Sequence, residues 1–389
     1  MDLIERLRSE TPGVERMLHF DNAGSSLMAR PIYDTVVAHL EREMMIGGYR
    51  AARDQGHQIE QVYTSISSLI GAFPDEIALV GSATRAWQLA FYSIPFEEGD
   101  IILTSDEEYA SNFINILAVA KRLNVEVRIV ESDINGDVSI EDLKSKCTSG
   151  VKLIAITHIP TNGGNINPAE EVGRIASDFG AFYLLDACQS VGHIEIDVKK
   201  IGCDFLCSTG RKFLRGPRGT GFLYSKRESL SRVDPYLLDL SSAKWVAKSR
   251  FDIARDAKCF EVWEKNYAAI LGLGAAVDYA LRLGMTWIED RIFSLATALR
   301  SKLAELPAVE LCEKGYRRGA IVTFRVRGLA PKEVCQKLAE CNVNVSETTV
   351  FATRLDMERR GIDSLVRASV HYYNNETEID RFCQILESL

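Results

Sequence analysis

The chain has 389 residues, 46% hydrophobic and 26% charged, a globular composition that excludes disorder as the main state and leaves room for about two domains of roughly 150 residues each. Its 54 acidic residues outnumber 46 basic ones, for a net charge of -8. That balance argues against the basic footprint that nucleic-acid backbones require, so no nucleic-acid partner is expected.

The first ten residues, MDLIERLRSE, carry charge from position 2 and lack the apolar core of a secretory signal, which predicts a cytoplasmic protein. Short apolar runs then predict strands at 77–80, 101–105, 126–130, 153–158, 182–186, 205–208 and 219–224. Helical patterns fall between them at 59–70, 84–93, 112–123 and 168–179, the last opening on Pro168 with Glu170 and Glu171 behind it, as a helix start should. The alternation predicts an α/β fold built on a mostly parallel sheet. Only a loop separates the final two strands.

Apolar residues recur at helical spacing over 260–284 and again over 286–306, followed by strands near 320–326 and 365–369 and helices at 332–341 and from 376 onward. We therefore divide the chain into a large domain at 21–260, a connecting helix at 261–285 and a smaller α+β domain at 286–389, with residues 1–20 packed near the small domain. The most apolar stretch, 267–280, is interrupted by glycines and Asp278 and is shorter than the ~20 residues a membrane span needs. No membrane partner is expected. The nine cysteines are scattered, and Cys203, Cys207, Cys335 and Cys341 sit in apolar patterns that predict buried, reduced thiols. No second cysteine pair or histidine cluster stands at ligand spacing, so no metal is expected.

In an open parallel sheet, ligands bind beyond the carboxyl ends of the strands. At the end of the first strand, GSATRAW (81–87) places Ser82 where it can cap a helix whose first N–H groups suit either an ordinary cap or a phosphate. LLDACQS puts Asp186 at the mouth of an apolar run, and STGRKFLRGPRGTGFLY (208–224) gathers Lys212, Arg211, Arg215 and Arg218 among four glycines. That loop matches neither the Walker pattern nor the dinucleotide fingerprint. A carboxylate followed 26 residues later by a lysine beside arginine and hydroxyls fits pyridoxal phosphate, which needs an amine for its aldehyde, an acid for its ring nitrogen and N–H groups or cations for its phosphate.

Seven segments in order, FDNAGSS (20–26), GSATR (81–85), EEYASN (107–112), THIPTNGGNINP (157–168), DACQSVGH (186–193), STGRKFLRGPRGTGFLY (208–224) and VRASVHYYN (366–374), resemble the class V aminotransferase family of fold-type I pyridoxal-phosphate enzymes. The family includes cysteine desulfurases and the sulfoxide lyases of ergothioneine synthesis. The resemblance implies a seven-stranded, mostly parallel sheet in the large domain and a homodimer. It also implies a role for each matching residue: Lys212 as the Schiff-base lysine and proton carrier, Asp186 at the pyridine nitrogen, and Gln189 at the 3'-oxygen. Ala83, Thr84, Thr209 and Arg211 match phosphate-binding positions, with Arg211 standing where many relatives have histidine. Tyr109 matches a ring-stacking position, and either Thr161 or Asn162 the second 3'-oxygen position. Arg367 matches the residue that clamps a substrate carboxylate, with Asn22 and Tyr49 as further substrate-binding candidates.

A desulfurase of this family carries its sulfur-accepting cysteine on a loop before that arginine, yet no cysteine occurs here between Cys341 and Cys383. That disfavours desulfuration, and GGYRAARD (47–54), EEYASN and TGRKFLRGPRG look closer to the ergothioneine-pathway sulfoxide lyases, a resemblance that implies an enzyme taking the Cα proton from an amino acid and eliminating across a C–S bond of a cysteine-derived sulfoxide or conjugate, giving an oxo acid and ammonia. Transamination is the alternative reading, followed by epimerisation or desulfuration without the loop cysteine. From another class, a non-catalytic cofactor-binding regulator is disfavoured by the presence of both Lys212 and Asp186.

Overall fold

The computed structural model describes residues 2–389. Strands β1 (Ile77–Val80), β2 (Ile101–Ser105), β3 (Glu126–Val130), β4 (Val151–Thr157), β5 (Phe182–Asp186), β6 (Phe205–Thr209) and β7 (Gly221–Ser225) form one sheet in the order β1-β7-β6-β5-β4-β2-β3. Neighbouring strands from β6 to β3 are parallel, whereas β7 is antiparallel to both β6 and β1. The physical reason is the connection: a parallel pair needs a crossover of a dozen or more residues, usually helical, and the loop after Lys212 simply turns the chain back. All strands but β7 consequently end at the same edge.

Both faces of this sheet are covered, so its strands read as continuous apolar runs. Side chains still alternate: Ile102, Leu153, Leu184, Phe205 and Leu223 pack with Trp87 and Phe91 on one face, while Leu103, Ile154, Leu185, Leu206 and Phe222 join the core on the other. Helix Tyr267–Leu283 is held against helices Arg30–Ile46 and Gly56–Ile70, which accounts for its apolar composition. Among the described residues no single helix is long and apolar enough to cross a membrane.

A second sheet takes its strands from Val309–Leu311, Ile321–Val326, Ser364–Ser369 and Ser346–Thr349 in that spatial order, all antiparallel. Leu18–His19 pairs with Val343–Asn344 and Asp21 bridges to Ser369. The chain thus runs along this smaller unit before its 20–26 loop reaches the large sheet, where Ser26 N donates to the carbonyl of Arg211.

Several elements depart from the sequence expectations. Helix Arg30–Ile46 was not among the expected helices, although Ile32, Val36, Leu40 and Met44 recur along it at four-residue spacing; only Ile32 and His39 are buried. The expected helix at 260–284 begins only at Tyr267, because Asn266 accepts from Ala269 N and caps it there. The hairpin Ala243–Ala247 with Arg250–Ile253 was not anticipated. Cys203 and Cys207 are buried, but Cys335 is only partly covered and Cys341 is exposed at the end of helix Pro331–Glu340, correcting its expected burial.

Candidate active site

Helix Ala83–Ser93 starts directly beyond β1. Ser82 Oγ accepts from Arg85 N at 3.1 Å, which leaves the N–H groups of Ala83 and Thr84 free at the positive end of the helix, facing the cleft. Across from them β6 delivers Thr209, Arg211 and Lys212 to the same cleft. The turn holding Lys212 is packed from behind by Gly192, whose φ is +81° and where a Cβ would lie 2.7 Å from the backbone of Phe213. Only glycine allows that approach.

Asp186, at the end of β5, is buried and fixed at both oxygens: Oδ1 accepts from Cys188 N at 2.9 Å and Oδ2 from Asn112 Nδ2 at 2.7 Å. Behind it lies Glu108, whose Oε1 accepts from Asn112 Nδ2 at 2.9 Å, Thr157 Oγ1 at 2.7 Å and Tyr109 N at 3.0 Å. Burial, reinforced by the charge of Asp186, pushes the Glu108 carboxyl up to about 7. The Cys188 thiol lines the cleft beside Lys212; burial pushes it up, and the ammonium partly opposes that shift.

Most residues singled out from the sequence meet here, but not all. Ala83, Thr84, Tyr109, Thr161, Asp186, Gln189, Thr209, Arg211 and Lys212 line one cleft. Thr161 and Asn162 separate: the Asn162 amide donates to Thr353 Oγ1 and Met357 Sδ, both at 2.8 Å, and accepts from Thr348, so it turns into the small unit and away from the cleft. Asn22 is also consumed internally, donating to Ser369 O at 2.8 Å and accepting from the Tyr373 hydroxyl, which removes it as a substrate ligand. Tyr49 lies on helix Gly48–Asp54 and is 80% exposed, outside the cleft wall of this chain. Thr209 Oγ1 donates to Thr220 O at 3.1 Å, and Arg211 spends one N–H on Gly24 O.

Arg367 stands beside the mouth. Its Nε donates to Ser346 Oγ at 3.2 Å, Nη1 to Thr161 Oγ1 at 2.5 Å and Nη2 to Asp21 Oδ1 at 3.3 Å, leaving one N–H uncommitted on each terminal nitrogen. Such a fork matches the two oxygens of a carboxylate. Asn112, Glu108, Thr157 and Cys188 were not among the candidates. The only trace of the first two in the sequence is their place at the start of a helix in EEYASN, Glu108 just before the Tyr109 cap and Asn112 in the first turn.

A family model described as Aminotransferase class-V matches residues 18–382. The chain belongs to the class V aminotransferase family. Similar members include a probable cysteine desulfurase of Pyrococcus abyssi, 30% identical over 401 residues with 100% of this chain and 98% of the relative covered. One of Methanothermobacter thermautotrophicus is 28% identical, with 99% and 98% covered. Among solved structures, the apo cysteine desulfurase from Thermococcus onnurineus NA1 superposes with a TM-score of 0.92 at 28% identity, covering 100% of this chain and 98% of that one. The cystine C-S lyase C-DES, solved with its product cysteine persulfide, has a TM-score of 0.88 at 22% identity over 97% and 99% and bears on the fold alone.

Membership in this class V family makes the chain a pyridoxal-phosphate enzyme, and the cleft fits that cofactor. The buried Gln189 Oε1 has no hydrogen-bond partner within the chain, an acceptor in the cleft wall that a donating ring hydroxyl would satisfy. The free N–H groups of Ala83 and Thr84 suit a phosphate, and Asp186 a protonated ring nitrogen. Bound there, pyridoxal phosphate supplies an aldehyde and an electron-withdrawing ring. Lys212 would be the amine that holds it and the base for the substrate's Cα proton, Asp186 would keep the ring nitrogen protonated, and Tyr109 would offer an aromatic face.

Proposed function

We propose that this enzyme cleaves the Cβ–S bond of a cysteine-derived amino acid by elimination, releasing a sulfur compound, an oxo acid and ammonia. The observation that carries the reading is the segment leading to Arg367. Residues 342–366 hold no cysteine, and helix Arg354–Arg359 is tied down on the large unit: Ala110 N donates to Ala352 O at 2.9 Å and Asp356 N to Asp106 O at 3.0 Å. Cys188 is the thiol within the cleft, and it lies on the Lys212 side of the site.

In this mechanism Arg367 orients the substrate carboxylate, Lys212 removes the Cα proton, and the electron pair leaves with sulfur as the Cβ–S bond breaks. Addition of water to the released enamine gives the oxo acid and ammonia, so no oxidant or reductant is required. The cysteine desulfurase names of the 28–30% identical relatives support C–S cleavage and a second outcome, in which alanine forms and sulfur passes to an acceptor thiol. Incubating holoenzyme with cystine, S-substituted cysteine sulfoxides and cysteine distinguishes these. Oxo acid and ammonia in equal amounts without an added acceptor are expected; alanine as the product selects desulfuration, and amine transfer to an added 2-oxo acid selects transamination.

The reading includes a homodimer. Met44, Met45 and Tyr49 are 75–80% exposed around the end of helix Arg30–Ile46, and Tyr236, Leu240 and Trp245 are equally bare near the hairpin. Apolar clusters of this kind mark association surfaces. Sedimentation of the wild type should give twice the chain mass of 43.4 kDa, and Trp245→Glu together with Met44→Glu should shift it toward the monomer; a wild type that sediments as a monomer rejects the dimer.

A further inference from the structure

Asp186 is the one buried group whose orientation decides whether a ring nitrogen can be kept protonated, and it has only two hydrogen-bond partners of its own. One is a backbone N–H two residues along, which cannot choose a rotamer alone. The other is the Asn112 amide, and its NH2 group is shared between Asp186 Oδ2 at 2.7 Å and Glu108 Oε1 at 2.9 Å. An asparagine amide is free to turn over, exchanging donor for acceptor. Here it is not, because reversal would point its carbonyl oxygen at two carboxylates.

We propose that Glu108 and Asn112 are positioning residues for Asp186: Glu108 fixes the sense of the Asn112 amide, Asn112 fixes the carboxylate of Asp186, and together they set its hold on the cofactor's ring nitrogen. The proposal rests on the cofactor reading of the site.

The surroundings of Glu108 support this. Thr157 Oγ1 from β4 and Tyr109 N also donate to Oε1, and Thr104 Oγ1 from β2 donates to Oε2 at 3.2 Å. The ionisable groups facing it are Asp186 on β5 and the Cys207 thiol on β6, with Glu108 acting on the latter's proton affinity. Among the described residues no lysine or arginine pairs with Glu108, which sets it apart from its neighbour Glu107, held 3.2 Å from Lys314 Nζ. A buried carboxyl that neutralises no cation, yet accepts four hydrogen bonds directly behind the cofactor acid, is accounted for by the orientation of that acid. It also adds negative potential behind Asp186, on the side from which that acid would hold the ring nitrogen.

Three variants test the chain of contacts through cofactor retention and spectrum. Asn112→Ala should weaken retention of pyridoxal phosphate about tenfold or more, as expected for losing a hydrogen bond to a charged group. Glu108→Ala should weaken it comparably, by freeing the amide, and the double variant should be no worse than either single one, since both act through one contact. Glu108→Gln keeps an acceptor for Asn112 while removing the charge. It should retain cofactor within about threefold of wild type, yet lower the pH midpoint of the bound cofactor's visible absorption by about one unit.

Wild-type retention in Asn112→Ala and Glu108→Ala overturns the proposal, as does strict additivity in the double variant. A loss of apo-protein stability with unchanged retention and midpoint also overturns it, because that is the signature of a structural role alone. Should the alanine variants fail to fold, the midpoint of Glu108→Gln decides: unshifted, it rejects the proposal. A wild-type chain that takes up no pyridoxal phosphate instead rejects the cofactor reading and this proposal with it.

Discussion

Replacing Lys212 by alanine is expected to abolish turnover, by at least about 10^4-fold, while leaving the protein folded. Two functions are lost at once, the amine that attaches the cofactor and the base that moves the Cα proton, and proton transfer alone accounts for about 10²–10⁴. Little stability should go with them. The Lys212 side chain is only partly buried and, among the described residues, makes no salt bridge, and surface-like changes of this kind stay within about 0.5 kcal/mol. Lys212→Arg should not restore activity, because a guanidinium that stays protonated can neither attack an aldehyde nor accept a proton. Borohydride reduction of wild-type holoenzyme followed by peptide mapping should place the cofactor on the peptide containing Lys212. Turnover above a few per cent of wild type in the alanine variant would falsify the assignment.

The apo-protein should lose stability only gradually between about pH 6.5 and 4.5 and then steeply below. Burial holds His158 down to about 3 and His193 down to about 4, and His371 is lowered in the same sense. His193 shows why: Nδ1 lies 2.9 Å from Gln189 O while Nε2 accepts from Ala320 N at 2.9 Å, so a second ring proton would face an N–H donor. For such a group the unfolded chain binds the proton first. Stability is therefore complete above pH 6.5 and is lost as pH falls toward the folded value, about 3 kcal/mol for His193 and about 5 for His158.

Glu107 and Glu108 act in the opposite sense. Burial raises both from 4.5 to about 7, so the fold binds their protons first and gains stability as pH falls from 7 to 4.5, about 3 kcal/mol each. Where they overlap the two carboxyl gains offset two of the three histidine losses, the third is uncompensated, and below pH 4.5 only the histidine loss remains. Denaturation of apo-protein at stepped pH measures this directly. Glu108→Gln removes one compensating gain, so between pH 7.5 and 4.5 it should lose about 3 kcal/mol more than wild type does; parallel curves for the two proteins would contradict the account.

The sheet was readable in the sequence because local chemistry dictates it. Each strand of the large unit is a short apolar run closed by polar residues, and helices such as Ala83–Ser93 and Ala169–Phe179 carry a clear stripe with recognisable starts. Lys212 and Asp186 stood out by the same logic, as ionisable residues at the ends of apolar strands. Helix Arg30–Ile46 was not among the expected helices despite its four-residue apolar repeat, and much of that stripe, Leu40 and Met44 included, is exposed on this chain.

What the amino-acid order determined by itself was therefore the α/β rhythm, the family segments and the placing of Lys212 and Asp186 at strand ends, which face one cleft. Only the tertiary structure separated Thr161 from Asn162, committed Asn22 to Ser369 and Tyr373, and set Glu108 and Asn112 behind Asp186. The reason is that a side chain's direction and its partners depend on residues tens to hundreds of positions away. Asn112 meets Asp186 across 74 residues and Arg367 meets Asp21 across 346, and neither periodicity nor spacing carries information over such distances.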